Sequence, residues 1–246
     1  MVKLVDAGIN AWFMDAVEGD QRAPHKMEPN QAVSVKELAA LGVDAWQLSG
    51  TDDDAELLDI RKAQNYNYSD VVTCCPDKLP NYEAKLKSFY EEHIHADPEV
   101  RYVMEGSGYF DVRDKADRWI RIEVLKGHLI TLPAGIYHRF TMDEKNHCQA
   151  MRLFQGDPIW TPINRGEGAE EHDSRKLYEQ EYALAKRMKK SPAEETEEMK
   201  VDADEAAEKA AKGTSAELSQ NDATATSDKP EQSNDTAPQA VEAGSQ

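Results

Sequence analysis

Cysteine is scarce in this chain. Its 246 residues hold three, Cys74, Cys75 and Cys148. Three is an odd number for a disulfide framework, and two adjacent cysteines are not spaced as a zinc knuckle. They are expected as reduced thiols of a cytosolic protein. No apolar stretch reaches the roughly 18 residues of a membrane-spanning helix. No apolar run with a basic flank opens the chain either. These absences predict a soluble, intracellular protein with no membrane partner. Positive charge is also in short supply: 29 Lys and Arg stand against 47 Asp and Glu, a formal net charge of −18. That balance argues against binding nucleic-acid phosphates. No internal repeat is visible.

The last stretch lacks still more. Residues 191–246 contain no Trp, Tyr, Phe, Cys or Ile. They carry 14 acidic and 4 basic side chains, a net of −10, which leaves −8 of the total for the first 190 residues. A segment of Ala, Ser, Thr, Gln, Glu and Asp cannot bury enough apolar area to offset its ordering entropy. The division is therefore a folded domain over 1–190 and a disordered acidic tail over 191–246. A short helix at Asp204–Lys212 (DEAAEKAAK) would be marginal alone. A passive solvated tail is the simpler reading of this segment than a docking extension.

What is present in the first 190 residues is patterned. Ser34, with Glu37 three residues on, forms a capping box, so a short helix is predicted there, stopped by Gly42. Val43–Leu48 (VDAWQL) reads as a strand. Asp53–Gln64 reads as a second helix capped by Asp53 or Asp54, and Tyr82–Tyr90 as a third. From His93 to Gln155 the texture changes to short runs rich in β-branched and aromatic residues: RYVMEG, GYFDVRD, WIRIEVL, HLITLP, HRFTM and CQAMRLF. Strands at this spacing, punctuated by Gly, Asp-Lys and Pro-Ala-Gly, predict an antiparallel sandwich or barrel. Asp173–Lys190 closes the domain as a helix capped by Asp173 or Ser174. Its basic end, KRMKK at Lys186–Lys190, complements the helix dipole. The same run is of a kind read by nuclear import, so a nuclear location beside the cytoplasm stays open.

The chemistry gathers in FYEEHIHADPEVRY, residues 89–102. His93 and His95 are two apart, and in a strand they share a face. Glu99 follows a bend at Pro98. His138 follows the turn Pro133-Ala134-Gly135, which would return the next strand across a barrel. Three imidazoles and one carboxylate could then converge on one point. A lone His-x-His is more often two ordinary strand residues. The joint spacing is far more specific: His93-x-His95-x3-Glu99-x6-Gly106, then Gly127-x5-Pro133-x-Gly135-x2-His138. Imidazole and carboxylate donors without thiolate suit iron or nickel rather than structural zinc. Four protein ligands on a six-coordinate ion leave two open positions, as a bidentate oxygen substrate needs.

This spacing resembles the two motifs of the cupin superfamily, with Lys87 where a Gly is usual and Met142 where an Asn is usual. The longer words KLPNYEAKLKSFYEEHIHADPEVRYVMEGSGYFDVRD, LPAGIYHRFTMDEKN and AMRLFQGDPIWTPINR resemble the acireductone dioxygenase family of methionine salvage, as does AWFMD…DQRAPH near the start. The resemblance spans about residues 10–183. It implies a mostly β fold, a cupin-type antiparallel β-barrel (jelly-roll) with several flanking α-helices. It implies His93, His95, Glu99 and His138 as ligands of one Fe(II) or Ni(II) per chain. It also implies acireductone (1,2-dihydroxy-3-keto-5-methylthiopentene) and O2 as substrates. The iron form would give 2-keto-4-methylthiobutyrate and formate; the nickel form would give 3-methylthiopropionate, carbon monoxide and formate.

Arg101, two residues past Glu99 on a strand, is assigned to the substrate, since its permanent charge can pair with an enediolate oxygen. The competing reading is a surface ion pair. Phe89 and Phe140 would line the apolar end that receives the methylthio group, or simply pack in the core. Glu91 and Glu92 could orient metal-bound imidazoles, although a solvated pair ending the helix is preferred. His25, His128, His147 and His172 have no ligand spacing. Two other functions remain: a cupin isomerase acting on a phosphosugar, and a non-catalytic cupin binding module. The first would need a basic phosphate pocket, and only Arg101 and Arg139 are in reach. The second would usually have lost a ligand, and all four are present. A monomer is the default expectation.

Overall fold

The computed structural model describes residues 8–159, 161–166 and 168–189, with side chains as far as residue 181. The chain falls into two units, Met1–Lys189 and Lys190–Gln246. The second lies outside the described residues, and with it the expected acidic tail and the helix at Asp204–Lys212.

In chain order the elements are β1 (Asn10–Phe13), α1 (Val35–Ala39), β2 (Asp44–Gln47), α2 (Ala55–Ala63), β3 (Tyr68–Cys74) and α3 (Tyr82–Phe89). There follow β4 (His93–Ile94), β5 (Glu99–Arg113), β6 (Trp119–Leu125), β7 (His128–Leu132), β8 (His138–Met142), β9 (Cys148–Phe154), β10 (Ile163–Asn164) and α4 (Asp173–Lys189). The capping box is formed: Ser34 accepts from the Glu37 amide and Glu37 reaches back to the Ser34 amide. At α2 the cap is Asp54, whose carboxylate accepts from the amides of Glu56 and Leu57. At α4 neither Asp173 nor Ser174 caps. His172 precedes the helix: its carbonyl accepts from the Lys176 amide, and its ring Nδ1 lies 2.9 Å from Ser174 Oγ. Among the described residues no helix is long and apolar enough to cross a membrane.

All strand pairs are antiparallel, and β5 joins two sheets. One runs β2-β7-β5-β9-β3 and the other β1-β6-β5-β8-β4-β10. Residues 99–106 of β5 pair with β7 and β9, and residues 107–113 pair with β6 and β8. The sequence suggested two separate strands here, RYVMEG and GYFDVRD, punctuated by Gly. The structure has a single 15-residue strand that passes from sheet to sheet. A bulge between Val103 and Glu105 shifts its register, and Gly106 at φ +72° completes the bend. A Cβ at Gly106 would stand 1.9 Å from the carbonyl oxygen of His147, so only glycine fits. The bulge also changes which side chains face inward. Glu99, Arg101 and Val103 line the interior before it, and Phe110 after it. Val103, Phe110, Val112, Ile122, Val124, Ile130 and Leu132 then close the apolar interior. The expected cupin-type antiparallel barrel with flanking helices is what these residues build.

Candidate metal centre

His93 and His138 are direct partners across the β4–β8 pair. His95 lies one residue past β4, at the start of the bend before β5, and Glu99 is the first residue of β5. One ligating atom from each of the four lies within 4.8 Å of all the others. The three imidazole centroids are 4.5 to 5.3 Å apart. His93, Glu99 and His138 are buried and His95 is partly buried. The sequence-predicted quartet is therefore assembled at one point.

The ring orientations show what the point is suited to hold. His93 Nδ1 lies 2.7 Å from the carbonyl oxygen of Glu91, and His138 Nδ1 lies 2.9 Å from that of Ile136. A carbonyl only accepts, so each Nδ1 carries the proton and each Nε2 turns a lone pair inward. His138 Nε2 then faces Glu99 Oε2 at 3.2 Å, and His95 Nε2 faces the same oxygen at 3.1 Å. These two contacts bring imidazole nitrogens and a carboxylate oxygen to one point, as the ligands of a cation are. Burial, then the neighbouring His138, pulls His93 down to about 3, so that ring is neutral at ordinary pH and free to ligate. Burial alone would raise the Glu99 carboxyl. The Arg101 guanidinium, then the His138 and His95 rings beside it, instead hold it well below the usual carboxylate range. Three imidazoles and one carboxylate fit a divalent metal ion.

The quartet opens into a cavity of about 360 Å³ between the two sheets. Arg101 lines it, with its guanidinium 3.3 Å from Glu99 Oε1. Its ion pair is thus with a metal-site carboxylate inside the cavity rather than at the surface. Phe89, from the last turn of α3, and Phe140, from β8, meet edge to face at 6.4 Å. Phe110 packs on Phe140 at 5.0 Å, and all three line the cavity.

Several features of the site were not legible beforehand. Glu91 orients His93 through its carbonyl oxygen, not its carboxylate. Glu92 does not reach the imidazoles, since its carboxylate takes two bonds from Arg113 at 2.9 Å and one from Arg165 at 2.8 Å. Arg139 turns to the other face of β8, where it bonds Asp111 at 2.8 Å and lies against the rings of Tyr90 and Trp119. The second guanidinium of the cavity is instead that of Arg152, the cross-strand partner of Arg101. It is bound by both oxygens of Asp70 at 2.7 and 2.6 Å. Strand periodicity along β9 would have found it, since Cys148, Ala150, Arg152 and Phe154 line the cavity at every second residue.

The chain is similar in sequence to proteins of one family. The model of the ARD/ARD' family matches residues 10–162. An acireductone dioxygenase from Branchiostoma floridae is 57% identical over 177 residues, covering 72% of this chain and 99% of that protein. Acireductone dioxygenase 2 from Physcomitrium patens is 58% identical over 172 residues, 69% of this chain and 87% of that one. Among solved structures, an acireductone dioxygenase from Bacillus anthracis with a cadmium ion in its active centre is 27% identical. It covers 55% of this chain and 94% of its own, with a TM-score of 0.48.

Proposed function

The chain belongs to the acireductone dioxygenase (ARD/ARD') family, and on that premise we propose that it cleaves 1,2-dihydroxy-3-keto-5-methylthiopentene with O2 at the His93, His95, Glu99 and His138 centre. The convergence of four ligating atoms within 4.8 Å, with His93 and His138 oriented by carbonyls at Nδ1, carries this reading. One Fe(II) or Ni(II) per chain would be held there. When bound, the ion supplies Lewis acidity and two open positions for substrate oxygens.

The protein's own groups do the rest. The Glu91 and Ile136 carbonyls keep His93 and His138 in the ligating tautomer. Arg101, held beside the centre by Glu99, presents a permanent cation to the enediolate oxygens of the substrate. Phe89, Phe110 and Phe140 offer an apolar wall to the methylthio end and exclude water from it. Product outcome is assigned to the ion: 2-keto-4-methylthiobutyrate and formate with iron, 3-methylthiopropionate, carbon monoxide and formate with nickel. A phosphosugar isomerase is disfavoured, because both cavity guanidiniums already have carboxylate partners, Glu99 and Asp70. A cytoplasmic monomer is the proposed working form; three free, buried thiols suit a reducing compartment.

His93→Ala and His138→Ala are expected to lose both bound metal and oxygen uptake. Full turnover in either variant without metal would overturn the assignment.

A further inference from the structure

The three imidazoles are not held alike. Those of His93 and His138 are each oriented by a carbonyl. His95 Nδ1 is buried and has no hydrogen-bond partner among the described residues. Its ring lacks the carbonyl bond that orients the other two, so its placement leans on its main chain, and that main chain is gripped from outside the barrel. The His95 carbonyl accepts from the Gly135 amide at 3.0 Å and from Ser174 Oγ at 3.3 Å. Ser174 sits in the first turn of α4 and is 8% exposed, and its hydroxyl also meets His172 Nδ1 at 2.9 Å.

The same turn of helix is fitted closely to the segment that carries His138. Gly135 has φ +79°, and a Cβ there would lie 2.2 Å from the Ser174 carbonyl oxygen. Arg175 donates to the Gly135 carbonyl at 3.2 Å, and Tyr137 donates to Glu170 at 2.7 Å. The chain just before α4 supports His93 in turn: β10 pairs Asn164 with His93, and the Arg165 amide donates to the Glu92 carbonyl. Asn164, Arg165, Glu170, Ser174 and Arg175, beyond the stretch that the family model matches, thus brace three of the four ligands.

We propose that Ser174 is a positioning residue of the metal centre, fixing His95, the one imidazole whose ring no carbonyl orients, through that residue's own carbonyl. This rests on reading the quartet as the metal site. The hydroxyl acts on metal affinity because a ligand free to shift must be ordered again each time the ion binds.

The test measures nickel(II) dissociation constants of the full-length chain by competition with a chromophoric chelator, alongside thermal unfolding of the metal-free protein. Ser174→Ala is expected to weaken nickel binding about fivefold, the loss of one ordinary hydrogen bond, and Ser174→Thr to restore it. Ser34→Ala, which deletes a comparable hydroxyl at the α1 cap, is expected to leave nickel affinity unchanged. If Ser174→Ala proves unfolded, Ser174→Thr against Ser174→Val asks the same question, since only Thr keeps the hydroxyl. Equal affinities within the Ser/Ala or Thr/Val pair, or an equal loss in Ser34→Ala, would overturn the proposal. A wild-type chain with no saturable nickel binding would overturn the metal centre itself, and the role of Ser174 with it.

Discussion

Arg101 and Glu99 meet inside the cavity at 3.3 Å, and the other oxygen of the same carboxylate faces His95 and His138. Glu99 therefore joins the metal centre to the guanidinium assigned to substrate. The two roles separate by mutation. Arg101→Ala should keep its metal, since all four ligands remain. It should lose about 10- to 100-fold in kcat/KM, the equivalent of about 1.5–3 kcal/mol for a charged hydrogen bond. Arg101→Lys should recover only part of this, because an ammonium cannot present a fork of donors. Elemental analysis and oxygen-uptake kinetics check both; unchanged kinetics would remove Arg101 from the site.

Asp111 stands between two cations. It takes two bonds from Arg121, at 2.7 and 2.8 Å, and one from Arg139 at 2.8 Å, and is 1% exposed. Arg121 also donates to the Gln21 and Ala23 carbonyls, which ties the N-terminal loop to the barrel. Asp111→Ala leaves a buried guanidinium uncompensated and should cost about 3–5 kcal/mol. Urea unfolding of variant and wild type measures this; a loss below 1 kcal/mol would be too small for the pairing described.

Burial pushes the Cys148 thiol up to about 12. The unfolded thiol ionises near about 8.5. Between those values the folded state holds a proton that the unfolded state has lost, so stability is complete below the window and falls as pH rises through it. The contribution is up to about 1.4 kcal/mol per pH unit. The unfolding free energy of wild type should fall more steeply between pH 8 and 10 than that of Cys148→Ala. Parallel curves would contradict the assignment.

Deletion of residues 191–246 should leave metal content, turnover and the unfolding midpoint nearly unchanged, because that segment has no aromatic residue or isoleucine with which to build a core. Differential scanning calorimetry and oxygen uptake of the truncated chain are the check. A large drop in either would show that the segment packs on the folded domain.

The quartet was legible because its geometry follows from local spacing: two residues along an extended chain, a bend, then a turn that returns the next strand. The caps of α1 and α2 were legible for the same reason, since Ser34 and Asp54 act within three residues of themselves. Long-range features were not. The passage of β5 from one sheet to the other depends on a bulge, and glycines at 106 and 108 read equally well as a turn. Only the approach of His147 to Gly106 decides between them. The strand β3 was missed because it has no clean apolar face: of its seven side chains only Cys74 is buried. Backbone carbonyls that orient rings, at Glu91 and Ile136, leave no mark in the sequence, because any residue supplies one. Ser174 was noticed as a possible cap, a local role; its bond to His95 spans 79 residues.

The most direct measurement is product analysis on one preparation stripped of metal and reloaded with iron(II) or nickel(II), given acireductone and O2. The stripped protein should consume no oxygen above background. The iron-loaded protein should yield 2-keto-4-methylthiobutyrate and formate, and the nickel-loaded protein 3-methylthiopropionate, carbon monoxide and formate. Full oxygen uptake by the stripped protein, or one product set from both ions, would contradict a reaction carried by a metal at His93, His95, Glu99 and His138.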